Sequence, residues 1–501
     1  MSLPLLMSLM PRASYAAPEA APPPTIWSAI AAAGGAELER EELRAIYRAV
    51  DGSLQWTSPA RRADLMKILV GLEADGIDVK GLGAPPGDGA LSPLEDDVAA
   101  TRAVLRAAHV MAGTTQDADI IPGWHIAPPA ADVVSALVES ARGGKWEAAI
   151  ARFRPATPAY LHLRTAHIHY RRLALEPWRA VTLDGPRIVE RDDPRMTGIT
   201  ERLILLGDLE KEYGGADALD AAVMRFQKRH GLEEDGRIGP ATLAELNVSP
   251  ASRARQIAAN LAYWRLLPRS WPQRYVAVNA AAAELELLQD GQSQLSSRVI
   301  VGDVRHPTPV MSASITAVTF NPPWNVPISI ATKEILPRLK RDPGYLERSN
   351  IEIVGRTQDP HGHDVDWQQY ARGHFPFQLR QVPGPGNSLG LVKFEMANQF
   401  DVYLHDTPNR SLFDKNARAL SHGCVRVQCA QELADRLLDD PSVWLTSDAS
   451  ASLRDGRTLS VRLKQPLPVY LLYFTAFADA DGTTHFRPDV YGRDAVLAAG
   501  R

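Results

Sequence analysis

Helical periodicity dominates the first third of the chain. Apolar residues recur there every three to four positions, and charged residues fill the opposite faces. Clusters of Pro and Gly, as at residues 84–87 and 121–123, separate the periodic stretches. The clearest amphipathic segments are residues 37–50, 61–72, 93–110, 132–137 and 158–173. The pattern predicts a helical scaffold domain over residues 25–190, in which no catalytic signature is found.

A second and smaller helical unit is predicted over residues 195–250. A helix there carries Val223 and Phe226 on one face and ends at Gly231, a residue typical of helix C-termini. A turn and a second helix follow. Most of these positions are turn and core residues, so the pattern predicts a small helical domain and leaves open whether it still binds a ligand.

Strand patterns begin after residue 270. Alternating or continuous β-branched and apolar residues predict strands at residues 275–278, 283–288, 298–301, 317–320, 391–394 and 402–405. An irregular stretch at about 332–390 interrupts them, and a stretch of that length inside a compact domain is usually functional, often a lid. We therefore predict a mostly-β domain over 270–450 with a cap insertion at about 332–390, and a strand-rich extension of that domain over 451–501. The fold class is α+β and multi-domain.

The composition is that of a globular protein, with 45% hydrophobic and 23% charged residues. A net charge of -4 without a basic stripe argues against nucleic acid as a partner. No run approaches the ~20 apolar residues that span a bilayer. Residues 3–10 are apolar and small residues follow them, which resembles a secretory signal, although no Lys or Arg precedes the run. We predict a signal segment and linker over 1–24, and an exported protein of the periplasm or cell envelope.

Two short strings contain residues suited to nucleophilic chemistry. Residues 405–407 read His-Asp-Thr at the end of a predicted strand, and residues 421–426 read Ser-His-Gly-Cys-Val-Arg. A thiol is a good nucleophile only as a thiolate, so it needs a base or a cation nearby. We expect Cys424 to attack an acyl carbon, and His405 to take its proton and later deliver it to the leaving amine.

The residues around Cys424 have candidate supporting roles. The backbone N–H groups of Gly423 and Cys424 are candidate donors to an oxyanion. Arg426 would lower the thiol pKa or hold a carboxylate of an anionic peptide. We expect His422 to be a structural or oxyanion-loop residue rather than the base, because its position points its side chain away from Cys424.

Less specific interpretations weigh against these roles. Cys424 would be an inert buried thiol in the simplest of them, but the flanking His, Gly and Arg have little reason to cluster around one. Cys429 is interpreted as a small core residue, and a disulfide with Cys424 is disfavoured because it would consume the thiol. His361, His363, Asp364 and His374 form too weak a pattern for zinc without a second cluster of ligands, so no metal site is predicted.

The string at 421–426, preceded by His-Asp-Thr, resembles the active-site signature of L,D-transpeptidases. Further segments resemble the large multi-domain members of that family: residues 320–327, 384–394, 405–408 and 486–494. The unit at 222–247 has the elements Phe-Gln, Gly-Leu, Asp-Gly, Gly-Pro and Thr-Leu in order, and it resembles the small helical peptidoglycan-binding domain. The resemblance covers most of the chain and is weakest over the first 190 or so residues.

The resemblance implies a cell-wall enzyme that needs no metal or organic cofactor. It would attack the L,D peptide bond between the third and fourth residues of a tetrapeptide stem, release D-alanine and pass the acyl group to an amine of a second stem, forming a 3→3 cross-link. Peptidoglycan stem peptides would be its substrates, and carbapenem inhibitors would acylate Cys424. His405 would be the general base, and Asp406 would orient it through its backbone carbonyl. The residues expected to contact substrate are Trp324, Tyr403, Ser421, His422 and Arg426.

Two alternatives remain open at this point. The same acyl chemistry would serve another acceptor, such as the lysine amine of a lipoprotein, a free D-amino acid or water. A protein of another class, a wall-binding protein with an inactive catalytic domain, would carry the same domains without turnover. The motifs do not choose the acceptor, whereas the intact pair of His405 and Cys424 argues against the inactive protein.

Overall fold

The computed structural model describes residues 25–83, 90–114, 121–182, 184, 188–212, 215–371, 373–438, 451 and 453–499. The predicted signal segment and linker, residues 1–24, lie outside this range. In the part of the chain that is described, no helix is both long and apolar enough to cross a membrane. The predicted α+β multi-domain fold is confirmed: a helical N-terminal region precedes a large mixed β-sheet.

The N-terminal region is helical, as predicted. Its helices are α1 (Ile26–Ala32), α2 (Glu37–Arg48), α3 (Pro59–Ala74), α4 (Pro93–Ala112), α5 (Val133–Gly143), α6 (Trp146–Ala151) and α7 (Pro158–Leu173). Side-chain caps fix several starts: Ser92 and Glu95 form a capping box at α4, and Asp132 accepts from the backbone of α5. The core between the helices contains Trp56 and Trp146, whose rings lie 5.1 Å apart.

A small helical unit follows, with α8 (Met196–Leu205), α9 (Ala216–Arg229) and α10 (Pro240–Leu246). Gln227 at the end of α9 holds the next turn together, because its amide donates to Asp235 at 2.8 Å and accepts from the N–H of Gly236 at 2.9 Å. Phe226 is fully buried beside it. These contacts give several of the motif residues a folding role whether or not the unit binds a ligand.

Helix α11 (Pro250–Arg265) leads into the sheet. The strands are β1 (Arg274–Asn279), β2 (Glu284–Gln289), β3 (Gln292–Gly302), β4 (Met311–Phe320), β5 (Trp324–Asn325), β6 (Ile351–Ile353), β7 (Leu379–Gln381), β8 (Val392–Glu395), β9 (Leu404–His405), β10 (Ala419–Ser421), β11 (Val425–Val427), β12 (Leu459–Leu472), β13 (Ala476–Ala478) and β14 (Thr484–Phe486). The large sheet has the order β10-β3-β11-β9-β8-β4-β12-β1-β2. A further pairing of β2 with β3 curls the sheet back on itself around an apolar core.

The stretch predicted to be irregular, about residues 332–390, has structure of its own. Strands β5, β7 and β6 form a separate sheet, and short helical segments accompany it: α12 (Ile328–Ile330), a π-helical turn (Ala331–Ile335), α13 (Leu336–Leu339) and α14 (Tyr345–Arg348). A separate core includes Leu339, Leu379 and Trp367. Elements of two to five residues are shorter than the window in which periodicity can be recognised, so the sequence pattern missed them. We call residues 324–381 the cap.

The C-terminal region is part of the same body. Helix α15 (Ala430–Leu437) packs into the core of the sheet, and β13 and β14 form a hairpin whose Phe486 contacts the helical region. Helix α16 (Arg493–Ala499) contacts α11. The helical region also touches the sheet domain directly, because Trp124 forms a parallel bridge with Val310.

Candidate active site

Two short parallel strands, β9 and β11, position the candidate residues. Val425 pairs with Leu404, and Arg426 pairs with His405. Leu404 and Val425 are fully buried in the sheet core. Since side chains alternate along a strand, the residues on either side of these two point to the opposite face. Cys424 and His405 therefore lie on one face of neighbouring strands, at diagonal positions whose Cα atoms are roughly 8 Å apart from the strand spacing and rise.

The thiol of Cys424 lies in a shielded position. Its Sγ is 3.7 Å from the backbone oxygen of Asp401, to which it donates. Burial raises the pKa of Cys424 above its ordinary value, while hydrogen bonds from Tyr403 and the charges of Arg426 and Lys393 oppose the rise. Both cysteines are free, so the thiol is available.

His405 is a buried histidine, only 5% exposed. Its Nδ1 lies 2.5 Å from the backbone oxygen of Asp406, the contact that the family resemblance implies. Burial and the neighbouring Arg426 guanidinium lower the pKa of His405 to about 3, against the opposing effect of the carbonyls of Asp406 and Leu389. The imidazole is therefore neutral at physiological pH, as a general base must be before it accepts a proton.

These two shifts fix the resting protonation of the pair. A thiol with a raised pKa and an imidazole with a lowered pKa are both uncharged at neutral pH. Both shifts oppose a resting thiolate–imidazolium ion pair, so we expect proton transfer from Cys424 to His405 to accompany attack on a substrate.

The turn before Cys424 is closed by Ser421. The Ser421 hydroxyl donates to the backbone oxygen of Cys424 at 2.6 Å and accepts from the N–H of Gly423 at 3.1 Å. Gly423 has a φ of 112°, which favours glycine. The N–H of Gly423 is thus already engaged, contrary to our expectation that it would face an oxyanion. The N–H of Cys424 is the candidate donor that remains.

Aromatic residues connect the thiol to the cap. The hydroxyl of Tyr403 lies close enough to the Cys424 thiol and to the side chain of Trp324, which lies on β5 of the cap, for both to influence its pKa. Lys393 lies with its Nζ 4.7 Å from the centre of the Tyr403 ring, and it pairs in register with His405. Trp324 and Tyr403, two of the predicted substrate contacts, are therefore brought to the thiol together.

The other three predicted substrate contacts, Arg426, Ser421 and His422, lie in different surroundings. Arg426 lies in register beside His405, and its Nε is buried with no hydrogen-bond partner among the described residues. Ser421 is buried and serves the turn, as described. His422 points to the cap, where its Nε2 lies 2.5 Å from a carboxylate oxygen of Glu334. This contact joins the nucleophile loop to the π-helical turn and leaves His422 unsuited to act as the base.

Sequence reasoning missed Lys393, Asp401 and Glu334. Lys393 lies inside a segment that resembles the family, but nothing in the pattern placed it opposite His405. Asp401 contributes only a backbone oxygen, for which side-chain identity carries no signal. Glu334 reaches the site through the fold of the cap. Among the described residues no group of three or more His, Cys, Asp and Glu is arranged to hold a metal ion.

The fold and the site together define a class of protein: a free cysteine and a neutral buried histidine share one face of a curled β-sheet beneath a cap, and helical domains precede the sheet. Residues 273–448 match the family described as "L,D-transpeptidase catalytic domain", or YkuD. Residues 41–166 match the "Scaffold domain", and residues 215–246 match the "Putative peptidoglycan binding domain". Residues 273–448 of this chain are therefore similar to the catalytic domain of the L,D-transpeptidase family.

One curated relative is similar over half of this chain. A Haemophilus influenzae protein named "Putative L,D-transpeptidase" is 37% identical over 253 residues, which are 50% of this chain and 50% of that protein. The chain thus spans about half the length of that relative. A solved structure, "L,D-transpeptidase from Mycobacterium smegmatis", is 12% identical with a TM-score of 0.19 over 40% of this chain and 58% of that chain, which is too distant to bear on the fold.

Proposed function

We propose that this protein is an L,D-transpeptidase that forms 3→3 cross-links between peptidoglycan stem peptides through an acyl-enzyme on Cys424. The proposal is supported by the shared face of Cys424 and His405 within a domain of that family, next to a peptidoglycan-binding domain. The same domains support a location in the cell wall or envelope, and we propose that the protein is exported to the periplasm.

The first half-reaction would form a thioester. The sulfur of Cys424 attacks the carbonyl carbon of the third residue of a donor tetrapeptide, and its proton moves to His405. The carbonyl π electrons move to oxygen, where the N–H of Cys424 donates to the oxyanion. The oxyanion then collapses, the C–N bond to the fourth residue breaks, and His405 delivers the proton to the departing D-alanine amine.

The second half-reaction would transfer the acyl group. The side-chain amine of the third residue of another stem attacks the thioester carbon and gives a proton to His405. The C–S bond breaks as the new amide forms, and the sulfur recovers the proton, so that the free thiol is restored. Because its pKa is lowered, His405 is neutral at the start and at the end of both steps.

The charges around the site suit an anionic, peptide-like substrate. Arg426 and Lys393 both lie in the row of residues that includes His405. A buried guanidinium nitrogen without a partner is costly, and a substrate carboxylate or carbonyl would satisfy it. We propose that Arg426 receives such a group, while Trp324 and Tyr403 border the scissile bond.

The acceptor is the open part of the proposal. A lipoprotein amine, a free D-amino acid or water would use the same thioester, and nothing in the site geometry ranks them below a second stem peptide. The inactive wall-binding alternative is less consistent with the site, because the thiol is free and the imidazole is neutral.

Mass spectrometry of purified protein with disaccharide tetrapeptides tests the proposal. We expect peptide dimers linked from third residue to third residue, together with free D-alanine, and neither product from Cys424→Ala. A carbapenem should add its mass to the Cys424 peptide alone, with Cys429 as the internal control. Monomers shortened by one residue without dimers would favour hydrolysis instead, and a protein without adduct or product would contradict the enzyme proposal.

A further inference from the structure

A fully buried threonine, Thr308, lies directly behind residues 421–424, the loop that carries Cys424. The hydroxyl of Thr308 donates to the backbone oxygen of Gly423 at 2.8 Å and accepts from the N–H of Gly302 at 2.9 Å. Since the Gly302 N–H can only donate, it directs the hydroxyl hydrogen of Thr308 toward Gly423. The position of the Gly423 carbonyl is therefore set by one side chain that lies outside both sequence motifs.

The peptide between Gly423 and Cys424 transmits this contact. In a planar trans peptide the C=O and the N–H point in opposite directions, so holding the Gly423 oxygen also fixes the direction of the Cys424 N–H. A hydrogen bond to the carbonyl also polarises the peptide and strengthens its N–H as a donor. Because the N–H of Gly423 already donates to Ser421, the direction of the Cys424 N–H determines how well it can donate a hydrogen bond to an oxyanion.

Thr308 is itself held from the C-terminal segment. Arg493, 2% exposed, donates from Nη2 to the backbone oxygen of Thr308 at 3.1 Å. Its guanidinium lies 4.8 Å and 4.9 Å from the ring centres of Tyr473 and Tyr491. The hydroxyl of Tyr491 donates to the backbone oxygen of Gly302 at 2.7 Å, and the N–H of the same Gly302 donates to the Thr308 hydroxyl. Hydrogen bonds from the C-terminal segment therefore hold the backbone of both Thr308 and Gly302.

The N-terminal helical region contacts Arg493 and the loop of Thr308 from the other side. Nε of Arg493 donates to the backbone oxygen of Pro122 at 2.9 Å. The N–H of Val310 donates to the backbone oxygen of Gly123 at 2.7 Å, and the N–H of His125 donates to the backbone oxygen of Val310, also at 2.7 Å. The loop that carries Thr308 thus has hydrogen bonds to the segments on both of its sides.

We propose that Thr308 is a positioning residue for acyl transfer: it aims the N–H of Cys424 at the oxyanion through the Gly423 carbonyl, and Arg493 holds Thr308 in place. The inference rests on the proposed acyl-enzyme chemistry. In this proposal Thr308 affects oxyanion stabilisation but not the reactivity of the Cys424 thiol, because among the described contacts its side chain does not touch the sulfur.

Two reagents separate these properties in the full-length protein. The carbapenem imipenem acylates a thiol through an oxyanion, whereas iodoacetamide alkylates a thiol without one. We expect Thr308→Val to lower the rate of imipenem acylation at Cys424 about 10- to 100-fold, as misplacement of an oxyanion donor does. Alkylation of Cys424, read from its tryptic peptide, should stay within about twofold, and Thr308→Ser should restore acylation.

The matched control is Thr101→Val, which also removes a buried hydroxyl with two hydrogen-bond partners, Tyr47 and Trp56, but in the helical region. It should leave both rates unchanged. Should Thr308→Val fail to fold, Thr308→Ala, which leaves room for water, should lower the acylation rate to a smaller extent and leave the alkylation rate within about twofold of wild type.

Three results would overturn the inference. Acylation of Thr308→Val at the wild-type rate shows that the contact does not matter. Equal loss of acylation and alkylation shows a general distortion of the loop, as does a Thr308→Ser variant that fails to recover. Wild-type protein that imipenem leaves unmodified would instead overturn the proposed function, and the inference with it.

Discussion

The uncharged resting state of Cys424 and His405 has a measurable consequence for thiol reactivity. Burial raises the pKa of Cys424 above its ordinary value, so the thiol is protonated in the resting enzyme at pH 7. Ionising even an ordinary cysteine thiol, with a pKa near 8.5, costs about 2 kcal/mol at pH 7, and burial of Cys424 adds to that cost. The attack step has to supply that free energy.

The perturbation is pH, and the assay is the rate of iodoacetamide alkylation at Cys424 from pH 6 to 10. Each peptide is quantified by mass spectrometry, so that Cys429 serves as a half-buried thiol in the same molecule. We expect the rate to rise about tenfold per pH unit without reaching a plateau below pH 9. The His405→Gln variant should follow the same curve within about twofold, because a neutral imidazole adds no charge beside the thiol.

The same variant should behave differently toward acylation. Loss of the general base should slow imipenem acylation by about 10²- to 10⁴-fold. A plateau of alkylation below pH 7 in the wild-type protein that disappears in His405→Gln would refute the reasoning. It would show a preformed ion pair and would mean that the charge of the imidazolium outweighs the burial of both groups.

Two further outcomes follow from buried groups away from the thiol. Burial beside Asp489 raises the pKa of Asp494 to about 7. Between about pH 4 and pH 7 the folded state therefore keeps a proton on Asp494 that the unfolded state has lost. The free energy of unfolding thus decreases as pH rises through this range. In Asp494→Asn that loss should be absent, so the difference in urea unfolding free energy from wild type should change by about 2–3 kcal/mol between pH 5 and 7.5, whereas a constant difference would contradict the assignment. Trp367→Ala should cost the cap core about 3–5 kcal/mol, making the cap protease-sensitive while the sheet domain resists; cleavage spread over both would show that the cap has no separate stability.

Cys424 and His405 could be predicted as candidate site residues because their side chains stand in short, ordered strings whose chemistry is local. The contact from His405 to the Asp406 carbonyl was implied by the resemblance to the L,D-transpeptidase family, and it is present. Local pattern and local chemistry agree at these positions, and there the prediction is specific.

Other parts of the site depend on contacts between distant segments or on backbone atoms. The engagement of the Gly423 N–H by Ser421 is a matter of turn geometry, and it was expected otherwise. Thr308 lies in a loop without periodicity, and its importance comes from the distance of its hydroxyl to one carbonyl. Glu334 reaches His422 only after the cap has folded. No pattern within a short window contains these distances.

Strand β12 lies between β4 and β1, in the middle of the large sheet, yet it comes from residues 459–472, beyond the segment that matches the catalytic family. A recombinant fragment cut at the boundaries of that match would leave the facing edges of β1 and β4 without their hydrogen-bonding neighbour. We expect such a fragment to aggregate, because unpaired interior strands present apolar faces and open backbone groups. For expression and crystallisation, the smallest useful unit therefore extends at least through β12.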